Sequence, residues 1–90
     1  MAKIYRANGM VETVEPKNGT DFQPEELQAV VGGYIECLPL YGTNEIMTCN
    51  EEGKILGLPL NRKATEIIAD NGYKYCIVGD VLICDNNEIK

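Results

Sequence analysis

Histidine, serine and tryptophan are missing from this 90-residue chain, and phenylalanine occurs once, at Phe22. Without histidine or serine there is no Ser-His or Cys-His pair, so nucleophilic catalysis lacks its usual general base. No glycine-rich loop runs into Lys-Ser/Thr, and no dinucleotide glycine fingerprint is present. Gly32-Gly33 follows an expected helix, whereas a phosphate-cradling loop precedes one. Basic residues are scarce: 8 against 14 acids, for a net charge of −6. That balance lacks the basic stripe of a nucleic-acid interface and disfavours adsorption to anionic membranes. No apolar run reaches the roughly 18–20 residues of a membrane-crossing helix, and Met1–Arg6 holds no apolar signal core. A cytoplasmic protein is expected, bound directly neither to nucleic acid nor to membrane.

Paired cysteine spacing is absent too. Cys37, Cys49, Cys76 and Cys84 include no CxxC, so the short spacings of a zinc site are not there. Each lies in or beside a β-like apolar run and reads as a free thiol acting as a small hydrophobe. No metal, no cofactor and no catalytic residue is expected.

What is present is a globular composition, 44% hydrophobic and 24% charged, which suits one domain over residues 1–90 with residues 85–90 as a frayed tail. A domain this small buries only roughly 60–65% of its unfolded surface, so homo-oligomerisation is an expectation. The acidity serves solubility and would also suit a basic protein partner.

Local signals give the elements. Asn8-Gly9 between Lys3–Ala7 and Met10–Glu15 is a hairpin signature. Pro24 suits the first position of a helix, with Gln23 before it, Glu26 at its third position and Phe22 facing Leu27 as a hydrophobic staple. Gly32 ends that helix in the left-handed region. Tyr34–Leu40 and Glu45–Cys49 read as a second hairpin, with Pro39 at an edge or strand end. Ile55–Leu60 is apolar but punctuated, and reads as a packed loop. Asn61 can cap a helix over Arg62–Asp70. Tyr75–Cys84 is either a hairpin turning at Gly79-Asp80 or a single buried central strand bulged at Gly79, and the second reading is preferred. The expected fold is α+β: a small, twisted, mainly antiparallel sheet of four or five strands with two short helices packed on one face. Its core would draw on Ile4, Val14, Leu27, Val30, Val31, Ile35, Leu38, Ile46, Ile67, Ile68, Ile77, Val78, Leu82 and Ile83.

Asn50-Glu51-Glu52-Gly53-Lys54 and Leu58-Pro59-Leu60-Asn61-Arg62 stand out. Two polar turns enclose a short apolar run, and the second turn opens a helix. Arg62 and Lys63 sit in that helix's first turn, where positive charge opposes the helix dipole, so a contact role is the reason to look for. Candidate binding residues are Asn50, Glu51, Glu52, Lys54, Asn61, Arg62 and Lys63. Gly32, Gly33, Gly53, Pro59 and Gly79 read as turn and cap positions, and turns and capping would account equally for Asn50 and Asn61. Glu51-Glu52 could work as a carboxylate pair only inside a cleft that splits their pKa values. The five tyrosines are both good strand residues and adaptable interface residues.

Gly32-Gly33-Tyr34-Ile35-Glu36, Asn50–Lys54, Leu58–Arg62 and Gly79-Asp80-Val81-Leu82-Ile83, in that order, resemble a family of small proteins of unknown function. Its members come from bacteriophages and from conjugative or plasmid elements. The resemblance covers residues 27–84 or so. It carries no activity across; it implies a mobile-element origin and a place in the cytoplasm of the bacterial host cell. The reading that follows is a non-enzymatic accessory protein that inhibits or modulates a host factor, with an anti-defence role as one form. Alternatives are sequestration of a small nucleotide-like anion by Arg62, Lys63 and helix N–H groups, a self-assembling structural module, and a small enzyme using Glu51, Glu52 and Lys54.

Overall fold

The computed structural model describes residues 2–89. Five strands, β1 (Ala2–Tyr5), β2 (Val11–Val14), β3 (Ile35–Pro39), β4 (Glu45–Asn50) and β5 (Val81–Asp85), form one antiparallel sheet in the order β2-β1-β5-β4-β3. Two helices, α1 (Pro24–Val31) and α2 (Arg62–Ala69), complete an α+β fold.

The local chemistry explains the elements. Gly9 takes φ +95 in the β1–β2 turn, and the Asn8 side chain accepts the Met10 N–H at 3.0 Å. At the start of α1, Glu26 reaches back to the Gln23 N–H at 2.8 Å, and its other oxygen accepts the Lys17 N–H at 3.0 Å. Phe22 and Leu27 are both buried, as a staple requires. Gly32 closes the helix at φ +80. Pro39 ends β3, an edge strand, so its missing N–H interrupts no ladder.

The helices do not share a face. Leu27 of α1 packs with Ile4, Phe22, Ile46, Leu82 and Cys84. Ala64 and Ile68 of α2 pack with Leu38, Met47, Cys49, Val81 and Ile83. These two sets alternate along β4 and β5, so they lie on opposite sides of the sheet. Strands β4 and β5 therefore carry apolar residues on both faces, and each face needs its own helix. The expected core is buried at Ile4, Leu27, Val31, Leu38, Ile46, Ile68, Ile77, Leu82 and Ile83. Val14, Val30, Ile35, Ile67 and Val78 are half-buried.

Three local expectations also change. Tyr75–Cys84 is neither a hairpin nor one bulged strand. Only Val81–Asp85 joins the sheet, at its centre. Gly79 turns the chain at φ +79, and Val78 makes a lone antiparallel bridge to Leu60. Ile55–Leu60 is a loop, as expected, but only Leu58 packs, half-buried against Gly53 and Gly79, while Ile55, Leu56 and Leu60 are exposed. Residues 85–89 are held rather than frayed. Asn86 N–H donates to Asn44 O and Phe22 N–H to Glu88 O, both at 2.6 Å, and Phe22 pairs with Ile89. Residue 90 lies outside the described residues.

Candidate functional site

The Asn50–Arg62 segment is built on two buried asparagines. Asn50 ends β4, where its Nδ2 donates to the Val31 carbonyl at the end of α1 at 3.0 Å. Its Oδ1 accepts the Glu52 N–H at 2.7 Å and starts the turn. Asn61, 1% exposed, works harder. Its Oδ1 caps α2 by accepting the Ala64 N–H at 3.0 Å. Its Nδ2 donates to the carbonyls of Tyr5, at 2.8 Å, and Gly79, at 2.9 Å. Both side chains are spent on internal bonds, which is how a buried amide avoids its desolvation penalty.

Between them the loop is tightly bonded. Leu56 N–H donates to Glu52 O at 2.9 Å, Gly57 N–H to Lys54 O at 3.2 Å and Leu58 N–H to Gly53 O at 3.0 Å. Gly53 is there for space: an added Cβ would stand 2.7 Å from Val78 Cγ2. Gly33 meets Asn50 in the same way, its added Cβ falling 3.0 Å from Asn50 Nδ2. Pro59 O accepts the Gly79 N–H at 2.7 Å, which ties the far end of the loop to the turn before β5. This frame holds Ile55, 84% exposed, and Leu56, 56% exposed, out in solvent.

Beside the loop lies a cleft of about 190 Å³, lined among others by Glu36, Glu51, Glu52, Lys54, Tyr75 and Cys76. It is smaller than the roughly 300–1,000 Å³ of a ligand pocket. Three carboxylates face one ammonium, and Lys54 Nζ lies 5.9 Å from the centre of the Tyr75 ring. Cys49, at the floor, places its Sγ 3.9 Å from a Glu36 oxygen. Burial first, and then the Glu36 charge, push its pKa up to about 12, so at neutral pH it is a thiol and a poor nucleophile. Among the described residues, no group of three or more Cys, Asp or Glu is placed to hold a metal ion. No described helix is long and apolar enough to cross a membrane.

The fold thus divides the residues singled out in the sequence. Glu51, Glu52 and Lys54 meet at the cleft, with Asn50 buried beneath. Arg62 and Lys63 are exposed on the first turn of α2 and are not part of the cleft lining. Gly32, Gly33, Gly53, Pro59 and Gly79 lie at turns, caps and close approaches. Sequence reasoning missed Glu36 and the exposed Ile55-Leu56 pair. The glycines on either side, Gly53 and Gly57, were the available signal for an apolar tip lifted clear of the core.

It also missed a row of rings. Tyr41 stacks on Tyr73 with centroids 5.9 Å apart and planes at 19°. Tyr73 meets Tyr75 edge-on at 5.8 Å. The Tyr73 hydroxyl donates to Pro39 O at 2.8 Å, which anchors the row beside the β3 edge. Tyr75 lines the cleft, and the row therefore runs into it. Burial and then the Glu36 charge raise the pKa of the Tyr75 phenol.

Comparison with curated proteins and with solved structures gives no significant match. Residues 4–90 match the model of a protein family described as a domain of unknown function, DUF3846, and the chain belongs to that family.

Proposed function

We propose that this chain is a non-enzymatic binding protein of a bacteriophage or other mobile element, and that it inhibits or modulates a host protein in the bacterial cytoplasm. Contact is made through the exposed part of Glu51–Lys63, with Ile55 and Leu56 at its centre. The observation that carries the reading is the exposure of these two large aliphatics on a hydrogen-bonded loop rather than in the core. Exposed apolar residues rimmed by charge mark protein interaction sites, and a rigid loop loses little entropy on binding. Glu51, Glu52 and Lys54 supply the rim, with acids in excess, which favours a basic partner. The mobile-element setting and the host target, anti-defence included, rest on the resemblance in the Gly32–Glu36, Asn50–Lys54, Leu58–Arg62 and Gly79–Ile83 segments. Sequestration of a nucleotide-like anion by Arg62, Lys63 and the start of α2 has less support: both side chains are exposed outside the cleft, and the Ala64 N–H is already bonded to Asn61.

Affinity capture from host lysate tests this, with wild type and an Ile55→Ser/Leu56→Ser variant side by side. Mass spectrometry of the eluate covers proteins and small molecules. A stoichiometric host protein that disappears with the variant is the expected result. A retained nucleotide would argue for sequestration, and an empty eluate with a homo-oligomer for self-assembly.

A further inference from the structure

We infer that the Tyr41–Tyr73–Tyr75 row and the acidic cleft at its end form a docking surface for a proline-rich extended segment carrying a basic residue. The inference rests on the protein-binding reading and names the chemistry of the partner segment. Polyproline II segments dock in aromatic-lined grooves, and the segment is already ordered before it binds. The steps of 5.9 and 5.8 Å between ring centres make the row at most about four polyproline II residues long, at ~3.1 Å each. Tyr41 is 68% and Tyr75 42% exposed, while Tyr73 is held from behind by its bond to Pro39.

Charge selects the occupant. Bases of a single-stranded nucleic acid also stack on aromatic rows, but their phosphates would meet Glu36, Glu51 and Glu52 on a chain of net charge −6. A prolyl segment brings no negative charge. An arginine on it would reach from the ring row into the cleft, where those three carboxylates outnumber Lys54. The β3 edge beside the row carries Pro39, whose carbonyl is occupied by Tyr73. A strand added in full register there would lack one N–H and compete for that carbonyl, whereas polyproline II needs no ladder.

The test is a titration of ¹⁵N-labelled protein with a ten-residue peptide of proline and leucine flanked by arginines. A glycine-serine peptide with the same arginines is the control. The expected result is saturable binding tighter than about 1 mM, with amide shifts gathered at residues 36, 41, 51, 73 and 75. Tyr41→Ala and Tyr75→Ala should each weaken it about tenfold or more. Tyr41 is exposed enough for that variant to keep the fold, which a thermal melt verifies. Glu36→Gln with Glu51→Gln should reduce the preference for the arginine-flanked peptide over an arginine-free one. No saturation by the proline peptide, equal binding of the glycine-serine control, or shifts remote from the rings would overturn the proposal. If the titration fails while Ile55→Ser/Leu56→Ser still loses a captured host protein, the polyproline class falls and the protein-binding reading stands.

Discussion

Asn61→Ala should cost this protein a large part of its stability. The side chain makes one cap bond and two bonds to carbonyls, those of Tyr5 and Gly79. Losing an N-cap costs about 1 kcal/mol. A buried polar group left without its partner costs about 1–3 kcal/mol. With the low end for the part-buried Tyr5 carbonyl and the middle for the Gly79 carbonyl, the loss is about 4 kcal/mol. A chain of this size has about 5–13 kcal/mol in all. Asn61→Asp separates the contributions. It keeps an oxygen for the Ala64 N–H, and a negative charge suits a helix N-terminus. It removes both N–H donors and sets a carboxylate against two carbonyls. Urea unfolding followed by circular dichroism, with a common m-value, measures both variants. The expected loss for Asn61→Asp is at least about 2 kcal/mol. A value within about 0.5 kcal/mol of wild type would mean that the cap alone matters and would refute the hub reasoning.

Gly53→Ala forces a methyl to within 2.7 Å of Val78 Cγ2 and should destabilise by about 1–3 kcal/mol; thermal melting measures it, and an unchanged Tm would show that Val78 gives way freely. Acid should weaken the fold partly through Glu26, whose pKa lies below the ordinary carboxylate value because the N–H groups of Gln23 and Lys17 bond its ionised form. Between the two pKa values the unfolded chain binds more protons, so this contribution is full above the unfolded pKa and is lost as pH falls through the folded one. Glu26→Gln keeps a cap at that position and should flatten the urea midpoint against pH below about 4.5; an unaltered slope would remove Glu26 from the account. Cys76 is exposed, while Cys49 and Cys84 are buried with pKa values pushed up to about 12 by that burial. Iodoacetamide at pH 8 should therefore alkylate Cys76 readily and leave Cys49 and Cys84 intact until denaturant is added, with peptide mass mapping as the readout; fast labelling of either buried thiol would contradict the packing.

The parts of the fold that were legible in the sequence are those decided within a few residues. Pro24, Glu26, Gly32 and the Phe22–Leu27 pair define α1 by local chemistry, Asn8-Gly9 defines the first hairpin, and Asn61 marks the start of α2. The face each helix covers was not legible, because it depends on which alternate residues of β4 and β5 each crossover meets. Tyr75–Asp80 misled for a related reason. Its apolar residues serve a bridge to Leu60 and a bond from Ile77 N–H to Thr65 Oγ1, not a ladder. The candidate site divides the same way. Asn61 reads as a cap, but its bond to Tyr5, 56 positions away, exists only in the folded chain. The tyrosine row joins residues from two distant stretches, and no spacing rule brings Tyr41 beside Tyr73.

The central strand of the sheet is the last of the five to be synthesised. Until β5 is made, no strand joins the β1–β2 and β3–β4 hairpins, since β5 alone lies between β1 and β4. Isolated two-stranded hairpins are marginal in water. At ~5–20 residues per second the first hairpin waits several seconds for its partner strand. During that time β1 and β4 each present an open inner edge, the kind of surface that aggregates or recruits chaperones. A nascent chain of this protein is thus most vulnerable just before β5 is made, and its yield in a cell should depend on how quickly translation passes the codons for Val81–Asp85.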